Sequence, residues 1–388
     1  MKLTIQKKYL LQSIQTVSNA ISSKTVHPIL AGMKIEVKQA SALLTGSNSN
    51  ITIQSLIPET KTIESEDENE EAIEEKIISD IEPGAIVLPV PHFSEIIKKL
   101  PEEIVEINVE ENFKTVIKSG KAVFTLYGQS VEEYPHVDIP NQEETIEFRA
   151  KDLKTSIRQT VFAVSQMETR PILTGVHIAL KPNQITFTAT DSHRLALRTM
   201  EVDENLEEMS LVIPGSSLQE LNKIIDNQDE PIKMVILSNQ VLFYTDEFYF
   251  LSRLLSGNYP DTSRLIPSDS QTTLSVHTKE LIRTIERAAL LSNRDQNNVI
   301  RLDTMDNHYI EITSNSPEIG NVKEQLSAIS VEGEDLKISF SSKYLLETLR
   351  TIDAETVQIN FTGAMRPFII KTPEDNHILQ LILPVRTF

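Results

Sequence analysis

The chain has 388 residues with 39% hydrophobic and 24% charged side chains, as in an ordinary globular protein, and its net charge of −19 excludes a uniformly basic surface but not a local basic groove. The absence of cysteine excludes disulfides, zinc–thiolate sites, iron–sulfur clusters and thiol nucleophiles. No apolar run is long enough for a secretion signal or a membrane span, and no glycine-rich phosphate motif is present. We therefore expect a cytoplasmic protein with no membrane, metal or cofactor.

The first predicted elements are a strand that leads into a helix, and this start recurs twice further along the chain. In the first copy, apolar residues follow one another at steps of four, three and four, which predicts one face of a helix. The three copies share one internal spacing: Ile5, Leu10 and Ile14, then Phe148, Leu153 and Ile157, then Val276, Leu281 and Ile285. Because repeats of this kind indicate a duplicated unit, we expect tandem modules.

Each copy continues with a turn into an apolar strand, a second helix and further strands of alternating polarity. The second helices are predicted at 93–100, 218–225 and 344–352. The boundaries predicted from these landmarks are 1–143, 144–270 and 271–388. The fold class predicted is α+β, with three tandem modules that each pack two helices on antiparallel sheets.

An acidic run interrupts the first copy. Early landmarks of copies one and two lie 143 residues apart, whereas later landmarks lie 125 apart, so the first copy holds about 18 extra residues. The segment Glu64–Glu82 in this window is dense in carboxylates, which repel one another and form little core. We expect residues 64–82 to be an inserted surface excursion that is mobile or helical, and solvated decoration is the simplest role for it.

Positive charge concentrates on the predicted helices. Together these segments carry a net charge of +8, which leaves −27 on the rest of the chain. If the helices share one side, that side would hold a phosphate backbone weakly and without reading its sequence. The plainer alternative is that the basic residues simply lie on solvated helix faces.

Four local motifs resemble a known family when they are taken in order. They are Arg170-Pro171-Ile172-Leu173-Thr174-Gly175, Thr190-Asp191-Ser192-His193-Arg194-Leu195-Ala196, Asn258-Tyr259-Pro260-Asp261 with Arg264-Leu265-Ile266-Pro267, and the terminal Leu383-Pro384-Val385-Arg386. With three modules and cationic helices, they resemble the β sliding clamp family of bacterial DNA polymerase III. The resemblance covers the whole chain apart from the acidic run.

The resemblance implies that each chain forms half of a ring. Two chains would close head-to-tail as a homodimer, encircle double-stranded DNA without sequence preference and slide on it. The ring would tether DNA polymerase for processive synthesis, as a processivity factor with no catalytic residues of its own. The implied partners are the DNA polymerase III α subunit, a clamp loader and other proteins that carry a clamp-binding motif.

The resemblance also implies three sets of site residues. The partner-peptide pocket would comprise Leu173, Thr190, Ser192, His193, Arg194, Leu195, Pro260, Arg264, Leu265, Met365, Leu381, Leu383, Pro384, Val385 and Arg386. Its arginines would meet the peptide at the rim, above an apolar floor. The DNA-facing residues would be Lys7, Lys8, Lys24, Lys151, Lys154, Arg158, Arg170, Lys279 and Arg283. The dimer interface would hold Phe124, Leu126, Leu290 and Leu291.

Other functions remain open at this point. Asp191-Ser192-His193 suggests a hydrolase, but a triad must converge in space, and no G-x-S-x-G elbow precedes a helix. A metal-dependent nuclease would need a compact carboxylate cluster or a histidine pair, and the sequence offers no H-E-x-x-H or H-x-H. The alternative function is an acidic β-rich repeat binding protein unrelated to DNA.

Overall fold

A computed structural model describes residues 1–22, 25, 27–63, 72–135, 145–202, 205–225, 230–292, 298–305, 308–316 and 319–386. The structure contains six α-helices within these residues: α1 (Lys7–Ser18), α2 (Val90–Lys99), α3 (Ala150–Thr160), α4 (Gly215–Ile224), α5 (Thr278–Ser292) and α6 (Ser342–Leu349). They fall two to a predicted module, so the expected helix pattern is confirmed. No helix in the described part is long and apolar enough to cross a bilayer.

The strands recur in the same order around these helices. The first set is β1 (Lys2–Gln6), β2 (Gly32–Val37), β3 (Ser41–Ser47), β4 (Ile51–Pro58), β5 (Thr60–Ile63), β6 (Ile73–Lys76), β7 (Ile78–Glu82), β8 (Gly84–Pro89), β9 (Ile104–Val109), β10 (Lys114–Ser119) and β11 (Ala122–Tyr127). The second set is β12 (Ile146–Arg149), β13 (Gly175–Lys181), β14 (Gln184–Thr190), β15 (Arg194–Glu201), β16 (Met209–Pro214), β17 (Pro231–Ile236), β18 (Gln240–Tyr244) and β19 (Phe248–Arg253). The third set is β20 (Thr272–His277), β21 (Val299–Thr304), β22 (Tyr309–Ser316), β23 (Gly320–Ser327), β24 (Ser330–Gly333), β25 (Lys337–Ser341), β26 (Thr356–Phe361), β27 (Phe368–Thr372) and β28 (Asp375–Ile382).

The chain divides into two compact units, and both combine segments that are distant in sequence. The first unit comprises Met1–Ala150 with Lys223–Arg253. It contains an eight-stranded sheet in the order β12-β17-β18-β19-β4-β3-β2-β8, a five-stranded sheet β11-β10-β9-β1-β7 and the pair β5-β6. All of the paired strands are antiparallel, as the alternating sequence patterns predict.

The second unit comprises Lys151–Asn222 with Leu254–Phe388. Its nine-stranded sheet has the order β16-β13-β14-β15-β28-β27-β26-β20-β24, and its four-stranded sheet has the order β23-β22-β21-β25. The large sheet is continuous because β15 pairs with β28, with Leu195 opposite Leu381. The α+β fold class is therefore confirmed in both units.

The helix faces that the periodicity predicts are the buried ones. Leu10, Ile14 and Val17 of α1 have no exposed surface, and this helix packs on β3 and β4. A hydrogen bond of 2.9 Å between the hydroxyls of Ser13 and Ser55 also joins α1 to β4. Burying three aliphatic side chains contributes about 1.5–3 kcal/mol each, so this contact fixes the helix on its sheet.

The prediction for the acidic run is wrong over residues 73–82. These residues form β6 and β7, and β7 pairs with β1 at the edge of the five-stranded sheet. Ile78 is fully buried there, and the ammonium of Lys2 lies 2.6 Å from the Asp80 carboxylate. The lysine on β1 thus offsets part of the negative charge of β7. Residues 64–71 lie outside the described residues.

Candidate functional site

The turn between β14 and β15 carries the middle of the candidate pocket. Asp191 Oδ1 accepts hydrogen bonds from the backbone N–H groups of His193 and Arg194, at 2.9 and 3.0 Å. Thr190 closes the same turn, because its hydroxyl donates to the Arg194 carbonyl at 2.6 Å. The short polar side chains therefore fix the turn through its own backbone, which holds Ser192 at a φ of 75°. Ser192 and His193 remain exposed.

This arrangement gives no support to the hydrolase hypothesis. The Asp191 carboxylate bonds to backbone N–H groups and to the Arg194 guanidinium. The His193 ring instead stacks on Tyr344, with the ring centroids 6.3 Å apart. The three side chains therefore do not form the nucleophile–base–carboxylate chain that a triad requires.

Arg194 is buried beneath this turn. It is only 7% exposed, and its guanidinium contacts three elements of the second unit. Its Nε donates to Asp191 at 3.1 Å, one terminal nitrogen donates to Glu347 of α6, and the other donates to the Phe162 carbonyl at 2.7 Å. The guanidinium also lies over the Tyr344 ring, 4.5 Å from its centroid. Three N–H groups of Arg194 therefore bond within the fold, and the expected contact of Arg194 with a peptide stays a prediction.

Tyr259 supports the turn from another side. Its hydroxyl accepts a hydrogen bond of 3.1 Å from the Thr190 N–H, and its ring stacks on His177 with centroids 4.9 Å apart. Burial raises the pKa of Tyr259 and lowers the pKa of His177, because both charged forms lose hydration. Leu173, in the short 3₁₀ turn Pro171–Thr174, is 4% exposed and is therefore buried within the second unit.

The C-terminal tail continues along the same turn. Leu195 and Leu381 are buried where β15 pairs with β28. The Leu383 N–H donates to the His193 carbonyl at 2.9 Å, and the Val385 N–H donates to the Ser339 carbonyl at 2.7 Å. The structure thus brings Thr190–Leu195 together with Leu381–Val385 and leaves Leu383, Pro384 and Val385 half-buried, with Arg386 exposed.

The remaining pocket candidates are exposed. Leu265 is 51% and Met365 is 54% exposed, and Pro260 also faces solvent. The Arg264 side chain is 90% exposed, and its only ion pair within the described residues is a 3.8 Å contact with Asp261. Hydrogen bonds from Ser263, with a further effect of Arg264, lower the pKa of Asp261. Arg264 therefore differs sharply from Arg194 and keeps its donors available.

The residues predicted for the dimer interface lie on or beside two edge strands. β11 ends the five-stranded sheet, and its residues Phe124 and Tyr127 are 40% and 72% exposed, with Leu126 half-buried. β23 ends the four-stranded sheet, and α5 packs on it with Leu290 71% exposed and Leu291 half-buried. These apolar side chains beside unpaired strand edges are unusual for a surface that stays in water.

Comparison with known proteins decides the family. Three domain models of the DNA polymerase III β subunit match in chain order: the N-terminal domain over residues 1–138, the central domain over 147–261 and the C-terminal domain over 263–386. The chain belongs to the DNA polymerase III β-subunit family. The β sliding clamp of Bacillus subtilis is 48% identical over 389 residues, and that of Staphylococcus aureus strain Mu50 is 44% identical over 388 residues, with 100% of both chains covered in each comparison.

Solved structures agree with this assignment to the β-subunit family. The crystal structure of the DNA polymerase sliding clamp from Bacillus subtilis matches with a TM-score of 0.92 at 49% identity. The β subunit from the DNA polymerase of Streptococcus pyogenes matches with a TM-score of 0.91 at 36% identity. Both comparisons cover 100% of each chain.

The basic positions that resemble DNA-facing residues of the β-subunit family differ in their exposure and in their contacts within the chain. Lys151, Arg170, Lys279 and Arg283 are exposed, Lys154 is half-buried, and Lys24 lies outside the described residues. Lys7 donates to the Leu100 carbonyl at 2.6 Å, and the Lys8 ammonium lies 4.7 Å from the centroid of the Tyr9 ring. Arg158 forms a two-point ion pair with Asp353, so its charge is matched within the chain.

Several residues that contact the candidate site have no signal in the sequence. Tyr344, Glu347 and Phe162 join the Arg194 contacts, but no short motif marks them and they lie 32 to 153 residues away in sequence. Tyr259 lies within the motif Asn258-Tyr259-Pro260-Asp261, and its position before Pro260 is the one sequence signal that could have indicated its role.

Proposed function

We propose that this chain is a sliding clamp that closes as a head-to-tail dimer around duplex DNA and tethers a DNA polymerase there. The family assignment supports the clamp function, and it gives no support to an acidic repeat protein unrelated to DNA. The modules would be 1–143, 144–270 and 271–388, and two chains would give a ring of six. The clamp would act as a processivity factor without catalysis of its own.

The pairing of β4 with β19 and of β15 with β28 is the observation that carries the proposal for the dimer. β4 and β15 are the third strands after the first helix of their modules, and β19 and β28 are the last strands of theirs. The corresponding third strand of module three is β23, and the last strand of module one is β11. Both end their sheets. Repetition of one rule therefore pairs β11 of one chain with β23 of a second, which closes a cyclic dimer.

The side chains at these edges fit that pairing. Phe124 and Leu126 lie two residues apart on β11 and so point to one face of the strand. Leu290 and Leu291 lie in the last turn of α5, the helix that packs on β23. Docking of the two edges would therefore bury apolar side chains from both chains together with the strand hydrogen bonds.

Contact with DNA would be electrostatic and weak. The exposed Lys151, Lys279 and Arg283 lie on α3 and α5 and form no ion pair within the described part of the chain. Attraction of this kind acts on phosphates of any sequence, and the acidic remainder of a chain of net charge −19 limits its strength. Retention would then depend on closure of the ring, and a tethered polymerase would gain effective concentration.

The partner-binding site would be the pocket of the second unit. Its buried floor includes Leu173, Leu195 and Leu381, and exposed Leu265 offers a surface for an apolar anchor. Exposed Arg264 and Arg386 would meet the peptide backbone or a carboxylate, together with the more buried Arg194. The partners proposed are the DNA polymerase III α subunit, a clamp loader and other proteins with a clamp-binding motif.

The test combines solution mass with topology. The chain should sediment at twice its 43.8 kDa mass, and after loading by a clamp loader with ATP it should stay on a nicked circular plasmid and leave when the plasmid is cut. The double variant Phe124→Asp with Leu290→Asp should be monomeric and lost from both DNAs. Met305→Asp, which alters an apolar residue 41% exposed outside the strands, is the matched control and should stay dimeric. A wild-type chain that is monomeric at micromolar concentration, or equally retained on linear DNA, contradicts the proposal.

A further inference from the structure

The first unit contains a cavity of about 460 Å³ that has no role in the proposed function. Its walls come from the short 3₁₀ turn that precedes β2 and from the chain that follows β11. The lining residues are His27, Pro28, Ile29, Leu30, Gln129, Glu133 and Pro135. Beneath it lies a small apolar cluster of Leu30, Val87 and Tyr134.

The backbone turns and the Tyr-Pro pair around this cavity repeat those around the proposed peptide pocket of the second unit. The 3₁₀ turns Pro28–Ala31 and Pro171–Thr174 have equal length, and each buries its leucine. The Leu30 N–H donates to the His27 carbonyl at 3.0 Å, as the Leu173 N–H donates to the Arg170 carbonyl at 3.0 Å. Tyr134 precedes Pro135 as Tyr259 precedes Pro260, and burial raises the pKa of both tyrosines.

The supporting turn is repeated as well. Asn48 Oδ1 accepts from the N–H groups of Asn50 and Ile51 at 2.9 and 3.0 Å, the pattern that Asp191 forms in the second unit. The Asn48 side-chain amide donates to the Ala20 carbonyl after α1 at 3.0 Å. It thereby ties the turn to the end of the first helix, as Arg194 does through the Phe162 carbonyl. A neutral amide therefore replaces the charged pair, and the geometry of the turn is kept.

The charges around the two sites differ in sign. At the module-two site, Arg170 and Arg264 are exposed cations. At the corresponding place in module one, His27 replaces Arg170, and an exposed Glu133 lines the cavity beside the apolar Ile29. An apolar floor with a carboxylate at its border favours a ligand that carries a cation next to an apolar side chain.

We propose that this module-one cavity is a second peptide site, which binds a short extended segment with a leucine anchor flanked by lysine or arginine. The leucine occupies the space between Ile29 and Pro135, and the flanking cation pairs with Glu133. The inference rests on the proposed function only for the comparison with the peptide pocket of the second unit. It extends that function, because a ring would then offer one site for each of two peptide classes on every chain.

The test uses two fluorescein-labelled pentapeptides, Gly-Lys-Leu-Leu-Lys and Gly-Glu-Leu-Leu-Glu, with the full-length protein and fluorescence anisotropy. The cationic peptide should bind at least tenfold more tightly than the anionic one. Glu133→Lys should lower its affinity at least tenfold, whereas Glu132→Lys, the neighbouring exposed carboxylate outside the cavity lining, should change it less than twofold. Equal effects of the two charge reversals overturn the proposal, since binding would then reflect general charge.

Location is tested separately with a benzoylphenylalanine version of the cationic peptide. Photo-cross-links should map to 27–30 and 129–135, and they should persist in Leu265→Asp, which alters the pocket of the second unit. Cross-links at 170–173 or 259–265 overturn the proposal. Dimer mass and retention on circular DNA are measured on the same Glu133→Lys protein and should not change, so failure of the module-one site is distinguishable from failure of the clamp function.

Discussion

Replacement of Arg194 by methionine tests whether this residue supports the peptide pocket from below. The change keeps most of the side-chain volume but removes three hydrogen bonds and leaves the carboxylates of Asp191 and Glu347, 13% and 32% exposed, without their cation. Removing one partner of a buried pair costs about 3–5 kcal/mol. Asp191 keeps its two backbone donors, so we expect a loss near the lower limit, about 3 kcal/mol. For a unit of this size that loss corresponds to a fall in Tm of roughly 6–12 °C.

The assay is thermal and urea unfolding followed by circular dichroism, with Arg264→Met as the matched control. Arg264 has a 90% exposed side chain and one long ion pair, so its removal should change the free energy of unfolding by less than about 0.5 kcal/mol. A double-mutant cycle of Arg194→Met with Glu347→Gln should give a coupling of about 1–3 kcal/mol. If Arg194→Met unfolds like Arg264→Met, the guanidinium does not support the turn and the argument fails.

Three further predictions follow from other parts of the molecule. Leu265→Asp should weaken an apolar partner peptide by the loss of one anchor, about 1.5–3 kcal/mol in titration calorimetry, with unfolding unchanged; unaltered affinity would place the anchor elsewhere. The lowered pKa of His177 means that the unfolded chain takes up a proton first as pH falls below 6.5, so Tm should decline there more in the wild type than in His177→Gln. Burial and the hydrogen bond to Glu75 raise the pKa of Tyr9 to about 12, so stability should decline as pH rises from 10 toward 12, and Tyr9→Phe should lose a step near pH 12 in the absorbance titration at 295 nm.

The periodic parts of the fold could be predicted because burial there follows sequence spacing. Leu10, Ile14 and Val17 recur on one helical face, and all three are fully buried. β7 is not predicted for the opposite reason, since its burial does not alternate and Ile78 is its only buried residue. The cation that offsets the Asp80 carboxylate is Lys2, which lies on β1 nearly 80 residues away in sequence. No local pattern contains that information.

The candidate site could be located from its motifs, but the role of each residue could not be assigned. Arg194 and Arg264 both looked like rim cations, because a motif gives position and residue type without depth. Burial separates them, and it depends on Glu347 and Phe162, which come from other parts of the sequence. The residues of the peptide pocket, the DNA-facing residues, the dimer-interface residues and the module boundaries stay predictions.

The sharing of sheets between successive modules has a consequence for synthesis on the ribosome. β4 pairs with β3 at once but receives its second neighbour only when Phe248–Arg253 has been made. β15 pairs with β14 and likewise waits for Asp375–Ile382 near the end of the chain. At about 5–20 residues per second, the second wait lasts roughly 10–35 s. During that time the nascent protein exposes an unfinished strand that another polypeptide can occupy. We therefore expect the nascent chain to need early protection by a chaperone, or to aggregate slowly on overexpression, because each sheet is assembled from segments that are far apart in the gene.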